Sequence, residues 1–176
     1  MTDPRLRKLA DNLIRYSCAM KEGEKVLIDC EEILAEEMLK AAYRAGVRSY
    51  FTIYNSKAER EWLLGADREQ MEDRAKWERA RMEQMDAYIS FRGNHNTMES
   101  AGIPESQSKL YSSIFSREVQ DVRLRKKWCV LRYPNEAMAQ LSGMSTRDFE
   151  DFYFDVCTLD YEKMHRAMLP LKALME

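Results

Sequence analysis

Short apolar runs alternate with longer amphipathic stretches along most of the chain. Four of these runs are rich in β-branched and aromatic residues, which is typical of buried strands. The predicted strands cover residues 25–30, 49–54, 87–91 and 128–133. Between them, apolar positions recur at helical spacing, as in residues 31–45, which Gly46 closes. A strand, a helix, a glycine and a second strand within about 30 residues predict a βαβ unit with parallel strands.

The same alternation defines the fold class. We expect an α/β protein with an open, mostly parallel sheet of four to five strands flanked by helices, a Rossmann-like or flavodoxin-like sandwich. The expected strand order is 2-1-3-4. The first helix is expected to begin at Pro4, capped by Thr2 or Asp3, and to end near Gly23. This α/β domain is predicted to span residues 1–160.

Residues 161–176 form a separate helical pattern rich in methionine and leucine. Pro170 lacks a backbone donor and is expected to kink or interrupt this helix. His165 is expected to pack among neighbouring methionines. Met168, Leu171 and Leu174 are expected to be exposed, mobile or buried by self-association, which leaves a homodimer possible.

Residues 57–86 are dense in charges of alternating sign. A few apolar positions punctuate them, so the pattern predicts one or two surface helices, with a possible break at residues 65–67. We interpret the charges as a solvated face rather than a binding patch.

Composition narrows the function classes. The chain has 28 Lys and Arg and 30 Asp and Glu, a formal net charge of -2, which argues against a nucleic-acid binder. The longest stretch without charged residues, residues 137–146, is half the roughly 20 residues of a membrane span, and the N-terminus lacks an apolar signal core. Four cysteines without a CxxC pair are expected to be reduced. A cytoplasmic protein without membrane contact is expected.

The turn after the first strand contains acids but no glycine. A nucleotide site at this turn is therefore not expected, since phosphate must approach the backbone closely. Asp29, Glu31 and Glu32 could form an acidic pocket like that of phospho-receiver domains, or they could be acids that cap the following helix.

The third strand ends in a polar loop, at the sheet edge where α/β proteins place ligands. Its residues Arg92, Asn94, His95 and Asn96 are the candidate edge of a substrate cleft. His95 could act as a general base or orient a ligand, or it could be a surface histidine. Two histidines far apart do not supply a metal centre, so no catalytic residue and no metal ligand is assigned.

Several segments, in their order and spacing, make the chain similar to the thermophilic-type metalloaminopeptidases, the group of aminopeptidases T, S and II. The N-terminal segments are residues 9–17 (LADNLIRYS), 22–28 (EGEKVLI) and 42–47 (AYRAGV). The later segments are residues 128–135 (WCVLRYPN), 138–140 (MAQ), 144–145 (MS) and 149–152 (FEDF), which resemble the region before the family's catalytic domain.

The resemblance implies a two-domain hydrolase that removes N-terminal amino acids from peptides with two divalent metals, zinc or cobalt. It implies that the metal ligands lie in a C-terminal catalytic domain beyond this chain. The chain would then be an N-terminal domain that is inactive alone, without a cofactor of its own, and whose partners are the catalytic domain and the peptide substrate. The alternative is an independent α/β module that binds a small ligand at residues 92–96.

Overall fold

The computed structural model describes residues 3–93 and 95–176. Its centre is a parallel sheet in the order β2-β1-β3-β4, which confirms the predicted fold class, strand pairing and order. Four strands lie within the described residues, and no fifth is found there. They are β1 (Lys25–Cys30), β2 (Arg48–Ile53), β3 (Ala87–Arg92) and β4 (Lys127–Arg132).

Helices cover both faces of the sheet. They are α1 (Pro4–Asn12), α2 (Glu32–Arg44), α3 (Ser56–Gly65), α4 (Arg68–Glu83), α5 (Glu105–Phe115), α6 (Asp121–Leu124), α7 (Glu136–Leu141), α8 (Thr146–Cys157) and α9 (Tyr161–Met175). A π-helical turn at Leu13–Ser17 extends α1, and another at Ser116–Gln120 joins α5 to α6. The chain from α5 to α6 is therefore one continuous helical segment with a π-helical turn inside it.

The alternation of side chains along β1 builds two core layers. Val26 and Ile28 face α1, α2 and α8 and belong to the larger cluster. Leu27 faces the opposite side, where it joins Met82 of α4 and Tyr88 of β3. All five of these side chains are at most 1% exposed. The two central strands are thus buried on both faces, as their apolar sequences predicted.

Local signals set the helix ends. Asp3 caps α1 by accepting a hydrogen bond from the Arg5 amide, while Thr2 lies outside the described residues. Asp67 and Gln70 form a reciprocal capping box that separates α4 from α3, at the predicted break. Gly46 ends α2 with a φ of +70°, and a Cβ there would lie 2.8 Å from Cγ of Glu22. Glycine is therefore required at this turn on two grounds.

The last helix is exposed along nearly its whole length. None of the described residues of α9 is buried, and Met168, Leu171 and Leu174 are 54%, 56% and 82% exposed. The helix runs through Pro170 without a break, so the expected interruption is wrong, while the alternative expectation of a kink remains a prediction. The missing donor is tolerated because the neighbouring carbonyls can bond water. His165 is also exposed, so the expectation that it packs is wrong.

The first residue of α9 attaches the helix to the domain. The ring of Tyr161 stacks on that of Tyr16 at 5.4 Å, and the Tyr16 hydroxyl donates to the Tyr161 carbonyl at 3.1 Å. The division into residues 1–160 and 161–176 remains a prediction.

Candidate functional site

Polar side chains that the sequence singles out lie at one edge of the sheet, where the parallel strands have their carboxyl ends. The chain leaves β1 toward β2 on one side, and β3 pairs on the other side of β1, so the strand order reverses between β1 and β3. Ligands in open α/β sheets bind at such a switch point. Two sites lie along this edge, an open cleft around His95 and a more enclosed cavity beneath Arg92.

In the open cleft, His95 lies between two carboxylates from different elements. Its Nδ1 is 3.0 Å from Oε2 of Glu136, in the first turn of α7, and its Nε2 is 3.2 Å from Oε2 of Glu31, which precedes α2. Hydrogen bonds to Glu136 first, and then to Glu31, raise the pKa of His95. Both ring nitrogens face acceptors, so the arrangement stabilises the protonated imidazolium rather than a free general base.

The cleft has an acidic lining. Its volume is about 580 Å³, and it is bounded by four glutamates, Glu31, Glu32, Glu136 and Glu150, together with Tyr133 and Pro134. An open acidic cleft of this kind favours a cationic group over an anion.

Three hydrogen-bonded side chains lie in the wall of the enclosed cavity. Arg92 donates to the Tyr88 hydroxyl at 2.8 Å, and that hydroxyl donates to Oδ2 of Asp29 at 2.9 Å. Arg92 also lies 3.6 Å from the same carboxylate. Burial raises the pKa of Tyr88 to about 12, so the phenol remains a neutral donor.

The structure therefore separates the three described residues among the four predicted at the cleft edge. Arg92 turns into the cavity and His95 into the cleft. Asn96 bonds within its own loop, accepting from the Met98 amide and donating to Glu99. Asn94 lies outside the described residues.

Asp29, near the end of β1, and Glu31, after it, bind side chains of other elements. The side chain of Glu31, the residue before α2, makes no capping hydrogen bond and instead binds His95, while Asp29 accepts from Tyr88. The capping interpretation is therefore wrong for these two side chains. Glu136 was missed altogether, because the spacing of 41 residues from His95 gives no local signal.

The charged segment over residues 57–86 is also more than a solvated face. Five of its charged side chains line the enclosed cavity, namely Glu59, Arg60, Arg74, Glu78 and Arg81. The solvated-face interpretation was based on the alternation of charges, which does not reveal that one side of α3 and α4 faces the sheet edge.

The described residues do not fit a dinuclear metal centre. Among residues 3–93 and 95–176, no group of three or more His, Cys, Asp or Glu side chains is placed to hold a metal ion. The cluster around His95 contains one histidine, and both of its ring nitrogens are already hydrogen-bonded to carboxylates. Within the same residues, no helix is both long and apolar enough to cross a bilayer.

Comparison with known proteins decides the family. The family model described as thermophilic metalloprotease (M29) matches residues 2–168. The chain belongs to this family. This confirms the resemblance read from the sequence.

A solved structure shares the fold of this chain. Wild-type AmpT from Thermus thermophilus superposes with a TM-score of 0.65 at 16% identity, over 88% of this chain and 43% of that chain. The present chain thus spans less than half the length of AmpT. A second match, the CurK enoyl reductase, has a TM-score of only 0.37 at 16% identity, over 80% of this chain and 45% of that chain. No curated protein sequence matches significantly.

Proposed function

We propose that this chain is the N-terminal, non-catalytic domain of a metal-dependent aminopeptidase that removes N-terminal amino acids from peptides. The observation that carries the proposal is the M29 match over residues 2–168, combined with a structural match to only 43% of AmpT. The remainder of such a protein would hold the two divalent metals, zinc or cobalt, and the catalytic residues. The protein would act in the cytoplasm.

The exposed helix α9 supports this assignment of partners. Its apolar side chains, among them Met168, Leu171 and Leu174, face solvent and would be covered by a catalytic domain of the same chain or, in the isolated domain, by a second copy. The covering surface would be apolar, since burial of these side chains is the main gain on contact.

The carboxyl edge of the sheet is the part of the domain that we assign to the substrate cleft. The acidic lining beside His95 suits the ammonium group at the N-terminus of a peptide, because Glu32 and Glu150 add carboxylates to the two that bind the imidazole. Arg92 and Asn96 flank this edge from the same loop region. In this assignment the domain shapes the entrance and performs no bond-breaking step.

The test is an assay of the chain alone and of a longer gene product, if the reading frame continues beyond Glu176. With added zinc or cobalt, the 176-residue chain should not hydrolyse a leucyl chromogenic substrate, whereas the longer product should. Turnover by a contaminant-free preparation of the short chain would show that the domain is itself catalytic. An inactive longer product with metal bound would overturn the aminopeptidase assignment.

A further inference from the structure

The enclosed cavity described above has a volume of about 280 Å³ and lies between the carboxyl end of the sheet and helices α3 to α6. We call it the arginine cavity, because five arginines and three acids are among its lining residues. These are Arg60, Arg74, Arg81, Arg92 and Arg123, with Asp29, Glu59 and Glu78. Cations therefore exceed anions by two, in a chain whose net charge is negative.

Two of the acids are held by arginines of the same cavity. Arg74 makes two hydrogen bonds to Glu59, at 2.6 and 3.0 Å, and its guanidinium lies 4.2 Å from the ring centre of Trp62. Arg81 donates to Glu78 at 2.8 Å. In each pair the arginine neutralises the glutamate. The lining of the cavity therefore contains no unpaired carboxylate from α3 or α4.

The third acid is held as well. Asp29 accepts from the Tyr88 hydroxyl at 2.9 Å and lies 3.6 Å from Arg92. Arg60 pairs with Glu61, a side chain that is 73% exposed and is not part of the cavity lining. The three acids of the cavity are thus paired with Arg74, Arg81 and Arg92. No acid of the cavity remains to pair with the last of its arginines.

That remaining arginine is Arg123, in α6. The residue is only 8% exposed, and its guanidinium carbon lies 3.8 Å from the ring centre of Tyr88 and 5.2 Å from that of Phe115. Its Nε is buried without a hydrogen-bond partner, and no ion pair to Arg123 is found among the described residues. A buried guanidinium nitrogen without an acceptor is costly, whereas an anion supplies both the charge and the acceptor atoms.

We propose that the arginine cavity binds a small anion through a carboxylate or phosphate group, with Arg123 as its principal partner. Both groups present oxygens that match the fork of donors on a guanidinium. Apolar lining residues, including Leu63, Ile103 and Tyr111, leave room for a short hydrophobic body beside the charged group. Burial lowers the pKa of Arg123, which agrees with a cation that lacks its counter-charge. The site is independent of the proposed peptidase role.

The experiment is calorimetric titration of the 176-residue chain with inorganic phosphate and, separately, with phenylacetate. We expect saturable binding of at least one probe, and the tighter one identifies the group that the cavity prefers. Arg123→Met should weaken that binding by about tenfold or more, because one charge-assisted contact is lost. Arg147→Met is the matched control: it removes the same charge from an exposed position outside the cavity and should leave binding unchanged.

A second measurement does not depend on whether the Arg123→Met variant folds. In the unaltered chain, heteronuclear NMR during the same titrations should show the largest shifts at Arg123 and its cavity neighbours Tyr111 and Phe115. Failure of both probes to bind below roughly 10 mM would overturn the proposal. So would binding that is unaffected by Arg123→Met, or shifts confined to other surfaces.

Discussion

The central strands and the last helix of this chain use apolar residues in opposite ways. β1 and β3 bury their side chains between helices on both faces, whereas α9 carries methionines and leucines that remain in solvent. The strands are held by two hydrogen-bonded neighbours each, and α9 is held at its first turn by Tyr16. The difference separates the strands that form the core of the domain from a helix whose apolar side chains remain exposed.

The largest loss of stability is expected for a substitution in the sheet. Ile28→Ala removes a side chain that is fully buried in β1, and we expect the free energy of unfolding to fall by about 3 kcal/mol through lost burial and a residual cavity. Chemical denaturation measures this. The matched control is Ile33→Ala on α2, where the side chain is 62% exposed and the loss should stay below about 0.5 kcal/mol. Equal losses would contradict the assignment of the core.

A smaller effect is expected where the two regions meet. Tyr16→Ala removes the ring stacked on Tyr161, and we expect a loss of about 1 kcal/mol in unfolding free energy, because an aromatic pair contributes little beyond this. Tyr43→Ala, at a position that is 66% exposed, is the control and should change stability by less than about 0.5 kcal/mol. A loss as large as that of Ile28→Ala would mean that α9 belongs to the cooperative core.

The smallest effect concerns the sheet edge. The pKa of His95 in the folded chain should lie above its ordinary value of 6.5, with the hydrogen bond to Glu136 as the main cause. Its contribution to stability is therefore complete at pH values below the unfolded pKa and is lost as the pH rises through the folded pKa. NMR titration of the imidazole should show a lower pKa in Glu136→Gln. Glu99→Gln, in the same loop, should leave it unchanged, and an unaltered pKa in both variants would refute the pairing.

Local signals were sufficient for the fold. Six-residue apolar runs, the Asp3 cap and the glycine after α2 act within a few residues, so the strands and their order could be predicted from the chain alone. The sheet edge could not be predicted in the same way. His95 meets Glu31 across 64 residues and Glu136 across 41, and these contacts exist only once the strands are aligned.

Arg123 illustrates the second limit. A charged residue in an amphipathic helix is normally solvated, whereas Arg123 is buried close in sequence to Val119, which is buried, and Val122, which is partly buried. The π-helical turn before α6 changes the angular position of the following residues. The pattern of a regular helix therefore gave no indication that this arginine would be buried against Tyr88.

Amide hydrogen exchange of the 176-residue chain tests the central claim most directly, because it compares the two regions in one experiment. We expect amides in the middle of β1 and β3 to exchange only through global unfolding. Amides in the second half of α9 should exchange on the order of a thousandfold faster or more, since that helix opens locally without exposing the core. Protection of α9 equal to that of β1, in a monomer, would show that the helix is part of this domain and would contradict the account.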